Sequence, residues 1–254
     1  MLTCVEMGEK LMDEQLHLAE RKRQHGASLI TSLILLVAIM LLGVTTASIT
    51  VQGEKAARNE RDFSMAFFAA EAALRDAQQD IDSEEGRDTV VFLPPDPDAF
   101  LHGCGSRLQG KFHGLCLPAA TDHPPLWLTT DLLNTGTANA RTVAYGTYTG
   151  RSFPVGEGPL PAMSPRYLIE LLSALPEAPP SGSEAVHAVY RITAVGFGMR
   201  ASTHVVLQAV YRRDRVPNEL KKSEEDLPYR FQSRRLSWRE IPHWQELHDA
   251  IKKK

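Results

Sequence analysis

The chain has 254 residues, 43% of them hydrophobic and 23% charged, with a formal net charge of −3 and a mean hydropathy of −0.23. These averages exclude a disordered chain, a polytopic membrane protein and a strongly basic nucleic-acid binder. They conceal a split: none of the 16 prolines lies in the first 93 residues, and 13 lie between Pro94 and Pro180.

Residues 1–26 form a charged leader that ends in Arg21, Lys22 and Arg23, followed by Gln24, His25 and Gly26. From Ala27 to Gly53 there is no charged side chain, a run of 27 residues centred on the apolar stretch Leu29 to Leu42. A bilayer's hydrocarbon core needs about 20 helical residues, so residues 27–53 are expected to cross a membrane once. The basic triplet precedes the run without an intervening acid, whereas Lys55, Arg58 and Arg61 beyond it alternate with Glu54, Glu60 and Asp62. Positive charge is held on the cytoplasmic side, which predicts the leader inside and the remaining chain outside. Cleavage as a secretory signal at Ala47-Ser48 is the weaker reading, since such a signal has an apolar core of about 7–15 residues.

Neither Gly nor Pro occurs between Ala56 and Ile81, and Phe63, Phe67, Ala70, Leu74, Ala77 and Ile81 recur at spacings of 4, 3, 4, 3 and 4. That is one apolar stripe on a helix, whose C-terminal half is expected to pack against a globular head. Helical propensity ends near Asp82-Ser83. A helix from Ala27 to Asp82 would be roughly 84 Å long at 1.5 Å per residue. Residues 27–53 form its greasy half and 54–85 its amphipathic half. Gly43 with the β-branched Thr45, Thr46, Ile49, Thr50 and Val51 marks where the helix is expected to loosen as it leaves lipid.

Residues 86–213 read as a loop-rich head outside the cytoplasm. Turn-rich stretches such as Pro94-Pro95-Asp96-Pro97-Asp98 and Asp122-His123-Pro124-Pro125 come first. Three strands follow, Arg166–Leu172, Val189–Phe197 and Thr203–Arg212, rich in β-branched and aromatic residues and bounded by turns. Short connections, one of them around Pro179-Pro180-Ser181-Gly182, predict an antiparallel meander. One small antiparallel sheet packed on the amphipathic half of the helix gives an α+β fold.

Cys4 lies in the leader, where thiols stay reduced, while Cys104 and Cys116 lie outside, where disulfides persist. A disulfide between these two would stabilise the head by roughly 3 kcal/mol on the chain-entropy model. With His102 and His113 the same cysteines also offer a Cys2His2 zinc set, although the spacing matches no common finger. Free thiols are the third possibility. Residues 214–254 carry 18 charged side chains out of 41 and read as a solvated tail up to about Phe231. Arg235–Glu240 then returns to the head, and Trp244–Ile251 forms a short helix. Lys252-Lys253-Lys254 is too short to argue for nucleic acid.

No catalytic motif stands out: the chain has no G-x-S-x-G, P-loop, H-E-x-x-H or paired CxxC. Asp96 and Asp98 hint at calcium but read as a surface turn, and His204 reads as a sheet-surface residue. No cofactor and no metal is expected.

Arg21-Lys22-Arg23-Gln24-His25-Gly26-Ala27-Ser28-Leu29-Ile30 has the basic stretch, glycine and uncharged apolar helix of a type IV prepilin. A longer series of segments resembles the PilX-type minor pilins of type IV pilus assembly. It includes Leu41-Leu42-Gly43-Val44, Arg58–Asp62, Ala66–Arg75, Gly114-Leu115-Cys116, Tyr145–Gly150 and Pro165–Glu170. Tyr190–Ala194, Val205–Gln208 and Arg235–Glu240 continue it. The leader and the tail after Glu240 depart from the pattern, and Met12 is an alternative start. The resemblance implies a type IV pilin-like fold and cleavage by a prepilin peptidase between Gly26 and Ala27. The apolar helix would be kept as anchor in the inner membrane and later packed in the filament. Other minor pilins, the major pilin, the inner-membrane assembly platform and the lipid bilayer would be the partners, with no nucleic acid. Major pilins of this kind carry a glutamate at the fifth mature position, which can neutralise a neighbour's N-terminal amine; here that position is the uncharged Thr31. Such a subunit would help to initiate assembly and would sit at the pilus tip. A tip pseudopilin of a type II secretion system and a signal-anchored periplasmic enzyme or sensor are the alternatives.

Overall fold

A computed structural model describes residues 27–82, 87, 92, 96–105, 107–136, 139–177, 185–217 and 229–253. Gly26, the basic flank Arg21, Lys22 and Arg23, Cys4, Ser83, Pro94-Pro95, the Pro179–Gly182 connection and residues 218–228 lie outside them. A single helix, α1, runs from Ala27 to Asp82. Its span matches the uninterrupted run of helix formers, and Gly43 and Gly53 are absorbed without a break. Contacts divide the chain into two compact units, with the division between Arg58 and Asn59.

In the first unit every described side chain from Ser28 to Arg58 is exposed. In the second, α1 from Asn59 onward lies on a sheet and is followed by short 3-10 turns at Pro97–Ala99 and Arg107–Phe112. The remaining elements are β1 (Leu115–Cys116), α2 (Leu126–Thr129), β2 (Val143–Ala144), β3 (Arg166–Glu177), β4 (Ala185–Phe197), β5 (His204–Pro217), β6 (Tyr229–Glu240) and α3 (Trp244–Lys252). The strand order is β1-β3-β4-β5-β6, with β2 also paired to β3.

The expected meander is present as β3, β4 and β5, joined in antiparallel register from Arg166↔Val195 and Phe197↔His204 onward. One pairing corrects the expectation of a wholly antiparallel sheet: β1 runs parallel to β3, with Leu115 beside Ile169 and Cys116 beside Glu170. A parallel pair needs a long crossover, and the 117–165 segment supplies it. The fold remains α+β, with a mixed sheet.

The sheet also reaches beyond residue 213. β5 continues to Pro217 and β6 pairs with it from Tyr229 to Glu240, where a solvated tail was expected up to Phe231. Inward-facing Arg213 is 4% exposed and donates to the carbonyls of Ile81 and Phe92, with its guanidinium over the Phe231 ring. A cation at the C-terminal end of α1 satisfies orphan carbonyls and complements the helix dipole.

Two cores flank the sheet. Between sheet and helix lie Ala66, Ala70, Leu74, Ala77 and Ile81 against Tyr167, Ile169, Tyr190, Ile192 and Leu207. The predicted stripe is thus buried from Ala70 on, while Phe67 is partly covered and Phe63 is 41% exposed. On the other face Leu132, Leu168, Val195, Val206 and Trp244 surround the two cysteines. There α3 is tied to α2: Trp244 Nε1 donates to the carbonyl of Trp127 at 2.9 Å, and His248 Nδ1 lies 2.6 Å from that of Leu128.

Candidate functional site

The first half of α1 is an apolar surface that no described residue of its own unit covers. Leu29, Ile34, Leu35, Met40, Leu41 and Leu42 are each more than 60% exposed. The helix is long and apolar enough to cross a membrane, with a mean hydropathy of 2.5 over its most apolar window. Its hydroxyls are satisfied internally. Thr31 and Ser32 donate to the carbonyls of Ser28 and Leu29, Thr45 and Thr46 both to that of Leu42, and Thr50 to that of Thr46. Backbone and hydroxyl groups bonded within the segment are what an apolar surrounding requires. This detail was not legible in the residue pattern, where Thr and Ser merely interrupt the apolar run. Ala27 is the first described residue of α1. Thr31, one turn on, presents a hydroxyl where an acid would present a charge.

The second half of α1 is fixed in the head by three buried carboxylates, none of them singled out in the sequence. Asp62, 1% exposed, accepts from the Met199 amide at 2.6 Å, from Arg200 Nε at 3.0 Å and from Thr203 Oγ1 at 2.7 Å. Burial alone would raise its pKa, but the hydrogen bonds from Thr203, Arg200 and the turn amides hold it below the usual carboxylate value. The β4–β5 turn is thereby clamped to the helix. Two glycines make the approach possible: a Cβ on Gly196 would lie 2.2 Å from the Ala66 carbonyl oxygen, and one on Gly198 2.2 Å from Asp62 Oδ1.

Asp76 accepts from the Gly146 amide at 2.7 Å and from Thr149 Oγ1, which holds the 145–150 turn. Burial outweighs these bonds and raises its pKa. Asp80 meets Arg87, whose side chain is fully buried with it; Arg87 Nη2 lies 2.9 Å and Nε 3.2 Å from the carboxylate. Tyr167 donates its hydroxyl to Asp80 at 2.9 Å, and Arg87 donates onward to the carbonyls of Lys111 and His113 under the Tyr148 ring. The pair carries enough additional hydrogen bonds to offset its desolvation. The signal that would have found these residues is their spacing: 62, 76 and 80 are four turns and then one turn apart, flanked by alanines on the buried side.

Cys104 and Cys116 are joined in a disulfide. Their sulfurs are thus bonded to each other, and His113 Nε2 is 2.7 Å from the Ala140 carbonyl. Among the described residues no group of three or more His, Cys, Asp or Glu is placed to hold a metal ion. The disulfide closes the loop whose carbonyls at 111 and 113 receive Arg87, so bridge, loop and helix form one connected unit. Asp96 Oδ1 accepts from the Asp98 amide at 3.0 Å, the turn that their sequence suggests. His204 is half-buried with its ring edge-on to Trp244, and burial lowers its pKa.

Comparison with known families matches residues 25–75 to the PilX N-terminal model and residues 112–213 to the C-terminal model of type IV pilus assembly protein PilX. The two matches together cover more than half of the chain. No curated protein and no solved structure matches it significantly.

Proposed function

From the premise that this chain belongs to the PilX family of type IV pilus assembly proteins, we propose that it is a minor pilin that helps to initiate pilus assembly. Before assembly it is anchored once in the inner membrane, with its head in the periplasm; afterwards residues 27–53 pack in the filament core or tip. Its work is packing, not catalysis. The observation that carries this reading is the division of α1, fully exposed and apolar up to Val51 and built into the head from Asp62. An exposed apolar helix needs lipid or other helices around it, and a filament of like subunits supplies both in turn. The sheet-built head supports a pilin over a largely helical tip pseudopilin.

The prepilin peptidase cuts between Gly26 and Ala27, with Arg21, Lys22 and Arg23 holding the leader in the cytoplasm. The mature subunit then joins the other minor pilins, the major pilin and the inner-membrane assembly platform. A buried N-terminal ammonium is costly unless paired, and Thr31 gives a preceding subunit's amine no carboxylate. The subunit therefore starts or caps the tip, where no subunit lies ahead of it. Replacing Thr31 by Glu tests this. The variant is expected to lower pilus number in direct competition with the wild-type chain; equal piliation in that competition would remove the role of this position.

A further inference from the structure

The face of the sheet turned away from α1 is covered over only part of its area. Side chains alternate between the two faces along a strand. Val195 of β4 and Val206 of β5 lie in the core around the disulfide, whereas Ile192 and Ala209 lie in the core against α1. Beyond Val206 the same side of β5 continues with Gln208, Val210, Arg212 and Asp214. The register places Arg239 level with Gln208, Arg191 with Val210 and Arg234 with Arg212. Gln208 is buried, Arg191, Val210, Arg212 and Asp214 are half-buried, and Arg234 and Arg239 are exposed. Among the described side chains of β4, β5 and β6, this face carries four arginines against one carboxylate, Asp214. Glu170 of β3 lies fully buried beside Arg191, so the face is cationic even with that acid ionised.

We propose that this arginine face docks an extended acidic segment of a partner protein. Same-side positions along a strand are about 6.8 Å apart, and the arginines occupy three successive levels on β5. Arg239 stands beside Gln208, Arg191 beside Val210, and Arg234 beside Arg212. An extended peptide repeats its own same-side side chains at that interval. Alternate glutamates or aspartates therefore each meet a guanidinium, with Val210 beneath the chain between them. Guanidinium forks match carboxylates in geometry and charge, and this face already holds two carboxylates of its own chain. Arg212 Nε lies 2.5 Å from Asp214 Oδ1, Arg234 Nε 4.0 Å from Asp214 Oδ2, and Arg191 Nη1 3.4 Å from Glu170 Oε1. Asp214 thus competes with the docked segment for Arg212 and Arg234. The proposal concerns the head alone and stands apart from the pilin reading.

Binding is measured on the full-length chain in non-ionic detergent micelles, by fluorescence anisotropy of a labelled ten-residue peptide that alternates Glu and Ser. The peptide is expected to bind, and to bind less tightly as salt is raised. An isomer with its glutamates in one block presents fewer of them on one side and is expected to bind roughly threefold more weakly. Arg234→Gln is expected to lower the affinity roughly twofold to fivefold, the effect of one exposed ion pair. Asp214→Asn is expected to raise it by a similar factor, which loss of the fold could not do. Thermal unfolding midpoints equal to wild type would show that both variants keep the fold. Absence of binding, equal affinity for the two isomers, or an affinity unmoved by Arg234→Gln would each overturn the proposal. So would an Asp214→Asn affinity at or below wild type, or a ten-nucleotide single strand that binds more tightly than the peptide and depends on Arg234.

Discussion

Glu170 is a buried acid whose chemistry departs strongly from its ordinary behaviour. It lies on β3 between Cys116 of β1 and Arg191 of β4, its side chain fully buried. Arg191 Nη1 reaches one carboxylate oxygen at 3.4 Å, and the other oxygen has no hydrogen-bond partner among the described residues. Burial raises its pKa from 4.5 to about 7, with the Arg191 charge and hydrogen bond opposing. The group binds its proton more tightly folded than unfolded, so its stabilising contribution is full below pH 4.5. That contribution is lost as the pH rises through about 7. At 1.36 kcal/mol per pKa unit the change is about 3 kcal/mol. Glu170→Gln is therefore expected to flatten the fall in stability between pH 5 and pH 8, measured by denaturation of the full chain in detergent micelles. Parallel pH profiles for variant and wild type would refute this. Nothing in the residue pattern announced Glu170, because an acid within a strand reads as solvent-facing until its strand neighbours and burial are known.

At the level of elements, the long helix, the three-strand meander and the terminal helix were legible because each has a strong period or strong boundaries. The stripe from Phe63 to Ile81 located the helix face that meets the sheet. β6 was not legible as a full strand for a physical reason. It is the last strand in the sheet order among the described residues, and it carries exposed Arg234, Arg235 and Arg239. The register against β5 shifts so that Leu236 bulges between Arg235 and Ser237. Charges and bulges on an edge strand deter pairing with other chains, and in sequence the same features imitate a solvated tail. The helix–sheet contact was also hidden, since it depends on absent atoms: alanines on α1 and Gly196 on β4. A Cβ at Gly196 would strike helix backbone that cannot swing aside. Gly196→Ala is thus expected to cost about 1–3 kcal/mol and to loosen the β4–β5 turn from Asp62. Urea denaturation of the full chain in micelles measures the loss. A stability equal to wild type would mean that helix and sheet do not approach this closely.

The molecule as a whole joins two units with different needs. The head is closed on itself by two cores, a disulfide and three carboxylate clamps on α1. Residues 28–58 have no such closure and expose their apolar surface along the whole segment. Charge on the head serves its internal register, as at the carboxylate clamps on α1, whereas α1 from Ala27 to Gly53 carries no charged side chain. In the described residues, the sequence division between proline-free and proline-rich parts corresponds to α1 on one side and the loop-bearing head on the other. The partners of Asp62, Asp76 and Asp80 became visible only once distant turns were brought to the helix, because most of them lie 70 or more residues away.

All of this turns on α1 beginning, in the working protein, directly at its apolar face. Sequencing the N-terminus of the mature protein by mass spectrometry tests that most directly. The account predicts Ala27 as the first residue, with a methylated amine as in the family it belongs to. An intact Met1, or a new terminus after Ala47, would contradict it.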